Sequence, residues 1–151
     1  MSLLSISKSS IVNFVGKVTS FNENSDWISD SGASEHIAFS KTLLFDSQDC
    51  NPNLPVLLPN GNSIPVQSLG KALMSNFVLH NVLYIPSFHC NLASISKLTR
   101  DYHCAVTFFP TFCVLQDLAA KRLIGMGEMK GGLYRFKKVC IPLAAATISF
   151  T

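Results

Sequence analysis

Apolar residues recur at alternate positions in short runs along most of the chain, and Gly, Pro, Asn and Asp break the runs. That period belongs to half-buried strands, and helical spacing recurs convincingly in one place. In the run ending at Asp30, Trp27 and Ser29 face one side and Ile28 and Asp30 the other. Ser31-Gly32 follows at once as a tight turn, because Gly tolerates backbone angles that other residues avoid. Ser34-Glu35-His36-Ile37 leads into an apolar run at 41–45, and the polar stretch 46–53 reads as a loop.

Two apolar runs then flank Asn60-Gly61, a strong hairpin signal. The prolines on both sides confine that hairpin to an edge or a projecting position. Past Gly70, residues 71–75 and 77–84 read as strands, and Pro86 ends the second. Leu92, Ile95 and Leu98 predict a short helix over 91–100 with Asn91 as its N-cap. Residues 104–109 and 111–117 form a hairpin turning at Pro110, 121–127 a further strand, and Gly131-Gly132 a turn into 133–136. Residues 1–25 read as a linker or arm, with an apolar patch at 11–18 suited to an edge strand. About nine short strands and one helix predict an all-β domain, barrel or sandwich-like.

Composition narrows this. The 151 residues suffice for one domain with a core. Hydrophobic content of 48% against 14% charged argues against disorder, and for surface that expects a partner. The net charge of +3 does not by itself imply nucleic acid. Of the basic residues, Lys121, Arg122, Lys130, Arg135, Lys137 and Lys138 cluster late, and a solvated face is the reading taken over an RNA contact. The apolar tail 139–150 is interrupted by Pro142 and too short to cross a bilayer, and the first ten residues lack the features of a signal peptide. Five cysteines, at 50, 90, 104, 113 and 140, form no C-x-x-C pair and read as reduced, mostly buried thiols of an intracellular protein. His89-Cys90 and His103-Cys104 match no zinc-finger spacing. No G-x-S-x-G accompanies Ser31 or Ser34, which sets a serine hydrolase aside. His36 reads as a structural histidine contacting the loop or backbone.

What remains is the Asp30-Ser31-Gly32 triplet, a carboxylate at a strand end over which loop N–H groups can turn. Alone it is an ordinary turn. It does not stand alone: Trp27 to Ser34 with Glu35-His36, Leu58-Pro59-Asn60-Gly61, Asn81-Val82-Leu83-Tyr84-Ile85-Pro86, Asn91-Leu92 through Leu98, and Leu123-Ile124-Gly125 with Gly132-Leu133-Tyr134 follow in order. Together these blocks resemble the peptidase region of copia-type retrotransposon Pol polyproteins, over roughly residues 26–136. Two positions depart from the family pattern, Ser29 and Ala93, where the family usually carries larger apolar residues.

The resemblance implies a retropepsin-like closed barrel over 26–118, the start of the pre-integrase segment over 119–138, and an unassigned tail over 139–151. It implies an aspartic endopeptidase that processes the Gag-Pol polyprotein as a homodimer, each copy giving one Asp30. Ser31 then bonds across the two-fold axis, Gly32 lets the loop approach the water, and Leu58, Pro59, Asn60 and Gly61 form a flap over substrate. The implied partners are a second copy and the polyprotein, without cofactor, metal, nucleic acid or membrane, in the cytoplasm or a virus-like particle. The alternative is a non-catalytic β-barrel remnant of Pol, which Ser29, Ala93 and the tail motivate.

Overall fold

A computed structural model describes residues 4–5, 26–50, 55–58, 60–75 and 77–136. The strands are β1 (Leu4–Ser5), β2 (Trp27–Asp30), β3 (Ile37–Ala38), β4 (Leu44–Asp49), β5 (Pro55–Leu57), β6 (Ser63–Pro65) and β7 (Ser68–Met74). They continue as β8 (Phe77–Tyr84), β9 (Asn91–Ser94), β10 (Cys104–Phe108), β11 (Phe112–Asp117), β12 (Leu123–Lys130) and β13 (Leu133–Phe136). One α-helix, α1 (Ile95–Tyr102), lies between β9 and β10. The architecture is all-β with this single short α-helix and one turn of 3-10 helix, Lys41–Leu43, among the described residues.

Ten strands form one sheet in the order β10-β11-β12-β13-β2-β9-β3-β8-β7-β4. Its middle is covered on both faces. Trp27, Ala38 and Ala93 enter one apolar cluster with Met74, Phe77, Leu79, Leu98 and Phe136. Their chain neighbours Ile28, Ile37 and Leu92 enter a second with Val56, Val66, Ile85 and Phe88. Adjacent residues of β2, β3 and β9 thus feed opposite cores, as a period of two requires. The first core closes tightly over β12. A Cβ on Gly125 would stand 2.9 Å from the Phe77 ring, and one on Gly127 2.7 Å from the Cys113 sulfur.

The Asn60-Gly61 hairpin stands apart: β5 pairs antiparallel with β6 and, on its other side, parallel with β1. A segment of the expected arm therefore pairs with the hairpin, while the patch at 11–18 lies outside the described residues. The loop is not a two-residue Asn-Gly turn. The Gly61 N–H donates to the Leu58 carbonyl (3.0 Å), and the Leu58 N–H to that of Asn62 (2.7 Å). Gly61 alone carries the positive φ, +87°, as expected at the left-handed position that ends a three-residue hairpin loop.

Two expectations change. The polar stretch after residue 45 is largely strand: β4 pairs with β7 through a bulge at the sheet edge. An edge strand held by its ladder, with every residue after Leu44 exposed, needs no apolar alternation, so its composition resembles a loop. The helix begins at Ile95, not 91, because residues 91–94 spend their backbone groups on a parallel ladder with β2. Ser94, not Asn91, is the N-cap and accepts from the Lys97 N–H, while His103 in the left-handed conformation ends the helix.

Candidate functional site

The site is built where β2 and β9 run side by side, Trp27 opposite Asn91 and Asp30 opposite Ser94. Parallel neighbours in that register bring the start of α1 against the turn that follows Asp30. The Gly32 N–H donates to Asp30 Oδ1 at 2.9 Å, closing an Asx-type turn. Ser94 clips this turn to the helix. Its hydroxyl donates to the Ala33 carbonyl at 2.7 Å and accepts from the Lys97 N–H at 3.2 Å. Its own N–H donates to His36 Nδ1 at 3.0 Å. Asn91 holds the other end of the strand pair, donating to the Asp26 carbonyl and accepting from the Phe39 N–H.

Lys97 completes the frame. Its ammonium donates to Glu35 Oε2 at 2.6 Å and to the Asn81 carbonyl at 3.1 Å, tying α1 to the turn and to β8. Lys97 is 5% exposed. Arg135, expected within a basic solvated cluster, is instead buried, with Asp26 Oδ2 3.9 Å from its guanidinium. It comes from β13, which pairs antiparallel with β2 and places Arg135 opposite Ile28. Residues 123–136 are therefore continuous with the sheet that carries Asp30. Lys121, Arg122 and Lys130 remain exposed.

Asp30 is 7% exposed and its Oδ2 is enclosed, whereas Ser31 and Gly32 lie at the surface. Asp30 shares the face of β2 with Ile28, and so with the second core, which also takes Val56 and Leu58 from the base of the hairpin. Asn60 and Gly61 stand exposed at its tip, and Pro59 lies outside the described residues. Ser29 and Ala93 face each other across the parallel ladder. The two departures from the family pattern are thus one local change, on the sheet face away from the carboxylate.

Burial pushes the thiols of Cys90, Cys104 and Cys113 up, the latter two to about 11, and the charge of Asp30 adds to the effect at Cys90. Free buried thiols fit the core reading of these cysteines. Among the described residues no group of three or more His, Cys, Asp or Glu side chains is placed to hold a metal ion, and no helix is long and apolar enough to cross a membrane.

His36 is structural, as its sequence context suggested. Burial lowers its pKa from 6.5 to about 3, and the nearby charges of Lys97, Arg100 and His80 act the same way. The ring is neutral and accepts at Nδ1. Between pH 6.5 and 3 the unfolded chain carries a proton here that the folded chain does not. Stability from this group is full above pH 6.5 and falls on acidification, by about 1.4 kcal/mol per pH unit within that window. His36→Asn keeps an acceptor near Nδ1 without the titration. Urea unfolding at several pH values is expected to show a shallower slope in the variant, and equal slopes would refute the assignment.

Ser94, Lys97, Asn91 and Arg135 were not singled out for this frame from sequence. Asn91 was expected as the helix N-cap, and of the rest only the serine carried a local signal, as a hydroxyl before helical spacing. The partners of the others lie far away in the chain: Lys97 and Glu35 are 62 residues apart.

The family model described as "Pol polyprotein, beta-barrel domain" matches residues 27–102, and the chain belongs to that family. More narrowly, it is a segment of copia-type retrotransposon Pol. It is 31% identical over 117 residues to the Retrovirus-related Pol polyprotein from transposon RE1 of Arabidopsis thaliana, covering 75% of this chain. It is also 31% identical over 120 residues to the corresponding polyprotein from transposon RE2 of the same plant, covering 77%. The chain spans 8% of the length of each of these relatives. No solved structure matches it.

Proposed function

We propose that this segment is the aspartic endopeptidase of a retrotransposon Pol polyprotein, acting as a homodimer with one Asp30 from each copy. The observation that carries the reading is the Asp30 turn itself. Its carboxylate is oriented by the Gly32 N–H at 2.9 Å, and the turn is fastened to α1 through Ser94. In the dimer, two Asp30 carboxylates share one proton, since two close like charges cannot both ionise. The ionised one takes a proton from water as that water attacks the peptide carbonyl, and the protonated one donates to the carbonyl oxygen. Ser31, exposed beside Asp30, bonds across the two-fold axis. The hairpin of Leu58, Pro59, Asn60 and Gly61 closes over the substrate, and the curled sheet closes into the retropepsin-like barrel. The substrate is the Gag-Pol polyprotein, processed in the cytoplasm within a particle.

One observation favours a second reading, a β-barrel module that folds without cutting. Asp30 is 7% exposed in the single chain, so the carboxylate of a second copy reaches it only if the Ser31–Gly32 segment yields. The test combines sedimentation with cleavage of a polypeptide spanning Gag-Pol junctions. The enzyme reading expects a reversible dimer and pepstatin-sensitive cleavage whose specific rate rises with concentration. A monomer at high micromolar concentration with no cleavage leaves the second reading.

A further inference from the structure

The two edges of the ten-stranded sheet differ in kind. At β4 the edge is guarded: a bulge interrupts its register, Asp46 adopts φ +49°, and Asp46 and Asp49 sit in ion pairs with Lys71 and Lys41. These are the devices that stop an edge from pairing further. The opposite edge, β10, has none of them. Its five residues, Cys-Ala-Val-Thr-Phe, hold unbroken register with β11 and contain no charge and no proline. Phe108 at its end is 41% exposed and packs on Tyr134 at 4.8 Å between ring centroids.

The ladder fixes which groups are open. Phe109 N–H donates to the Phe112 carbonyl and Leu118 N–H to that of His103. Alternation along an antiparallel pair then points the N–H and C=O groups of Ala105 and Thr107 toward β11, and those of Cys104, Val106 and Phe108 outward. Among the described residues no strand lies beyond them.

We infer that β10 is a self-association edge whose occupant is the β10 of a second copy, antiparallel about a two-fold axis at Val106. A second copy fits because the edge is its own complement. Val106 meets Val106 of the other copy, the small Cys104 meets the large Phe108, and no like charges oppose. The three outward residues form about six backbone hydrogen bonds, two per pair. Cys104 and Val106 both belong to the first core or pack on it, so the seam extends an apolar face already present. The interface does not depend on Asp30 being catalytic. With β11, β12 and β13 between β10 and β2, the seam leaves the two Asp30 turns on the order of 40 Å apart along the joined sheet. It is thus a surface distinct from any Asp30 dyad, and the two together would link dimers into larger assemblies.

The test uses the whole chain. Sedimentation is run alongside amide hydrogen exchange at several concentrations. Protection at Cys104, Val106 and Phe108 is expected to rise as the dimer forms. Val106→Pro removes one outward N–H and leaves the β11 ladder intact. It is expected to weaken association about tenfold or more, with Trp27 fluorescence unchanged. The double substitution Ala105→Lys with Thr107→Lys places like charges across the seam and serves as the second probe, with the same expected loss. A monomer at high micromolar concentration overturns the proposal. So does a dimer that both variants leave unweakened, or one that forms without protecting these three amides.

Discussion

Asp30→Asn is expected to bring polyprotein cleavage to background while leaving the fold in place. Asparagine is isosteric and keeps an oxygen to accept from the Gly32 N–H, now at 2.9 Å from Asp30 Oδ1. The β2–β9 ladder and the Ser94 clip use backbone and hydroxyl groups that the change does not touch. What is lost is the ionisable group, so neither copy can take a proton from water or return one. Positioned acid–base groups contribute on the order of 10²–10⁴ in rate each, and both members of the dyad change at once. The measurement pairs cleavage rate with urea unfolding of the same preparation. Persistent pepstatin-sensitive cleavage in a folded variant refutes the assignment. A variant that unfolds reports on stability alone, and Asp30→Glu, which keeps the charge but moves it, then separates the two.

The second large effect is expected at Lys97, where an interaction invisible from any local pattern holds three elements together. Lys97→Met preserves length and apolar stem but removes the ammonium shared by Glu35 and the Asn81 carbonyl. Removing one member of a fully buried ion pair typically costs 3–5 kcal/mol, and Glu35 keeps a quarter of its side chain in solvent, so about 2–3 kcal/mol is expected. Denaturant unfolding checks the size. Adding Glu35→Gln is expected to restore part of the loss, because the carboxylate left behind is then neutral; strict additivity would mean the pair is not coupled. Exchange at the amides of 31–36 should quicken, since the tether of the Asp30 turn to α1 is weakened.

These two residues show the two kinds of information at work. Asp30 was legible because its chemistry is local: a strand alternation ending in Asp-Ser-Gly specifies a carboxylate in a tight turn, whatever surrounds it. The hairpin at Asn60-Gly61 was legible for the same reason, although its loop proved one residue longer. The helix was legible as spacing but misplaced by four residues, since helical period and the start of a buried strand both present Leu92 as apolar. The edge strand β4 was read as a loop because a ladder on one side satisfies its backbone without any apolar signature. Arg135 was read as one of a basic cluster, because charge along the sequence does not report which side chain the strand pairing turns inward.

The sequence by itself determined the all-β class, the strand spacing, the turn chemistry and the single Asp-Ser-Gly carboxylate, all of which follow from short-range rules of period and backbone angle. Only the tertiary structure decided that β13 flanks the Asp30 strand, that Ser29 and Ala93 face each other, and that Ser94, His36 and Lys97 frame the turn. Those are pairings between residues tens of positions apart. They depend on strand order and register, which hydrogen bonding and burial select over the whole sheet and which no local window contains.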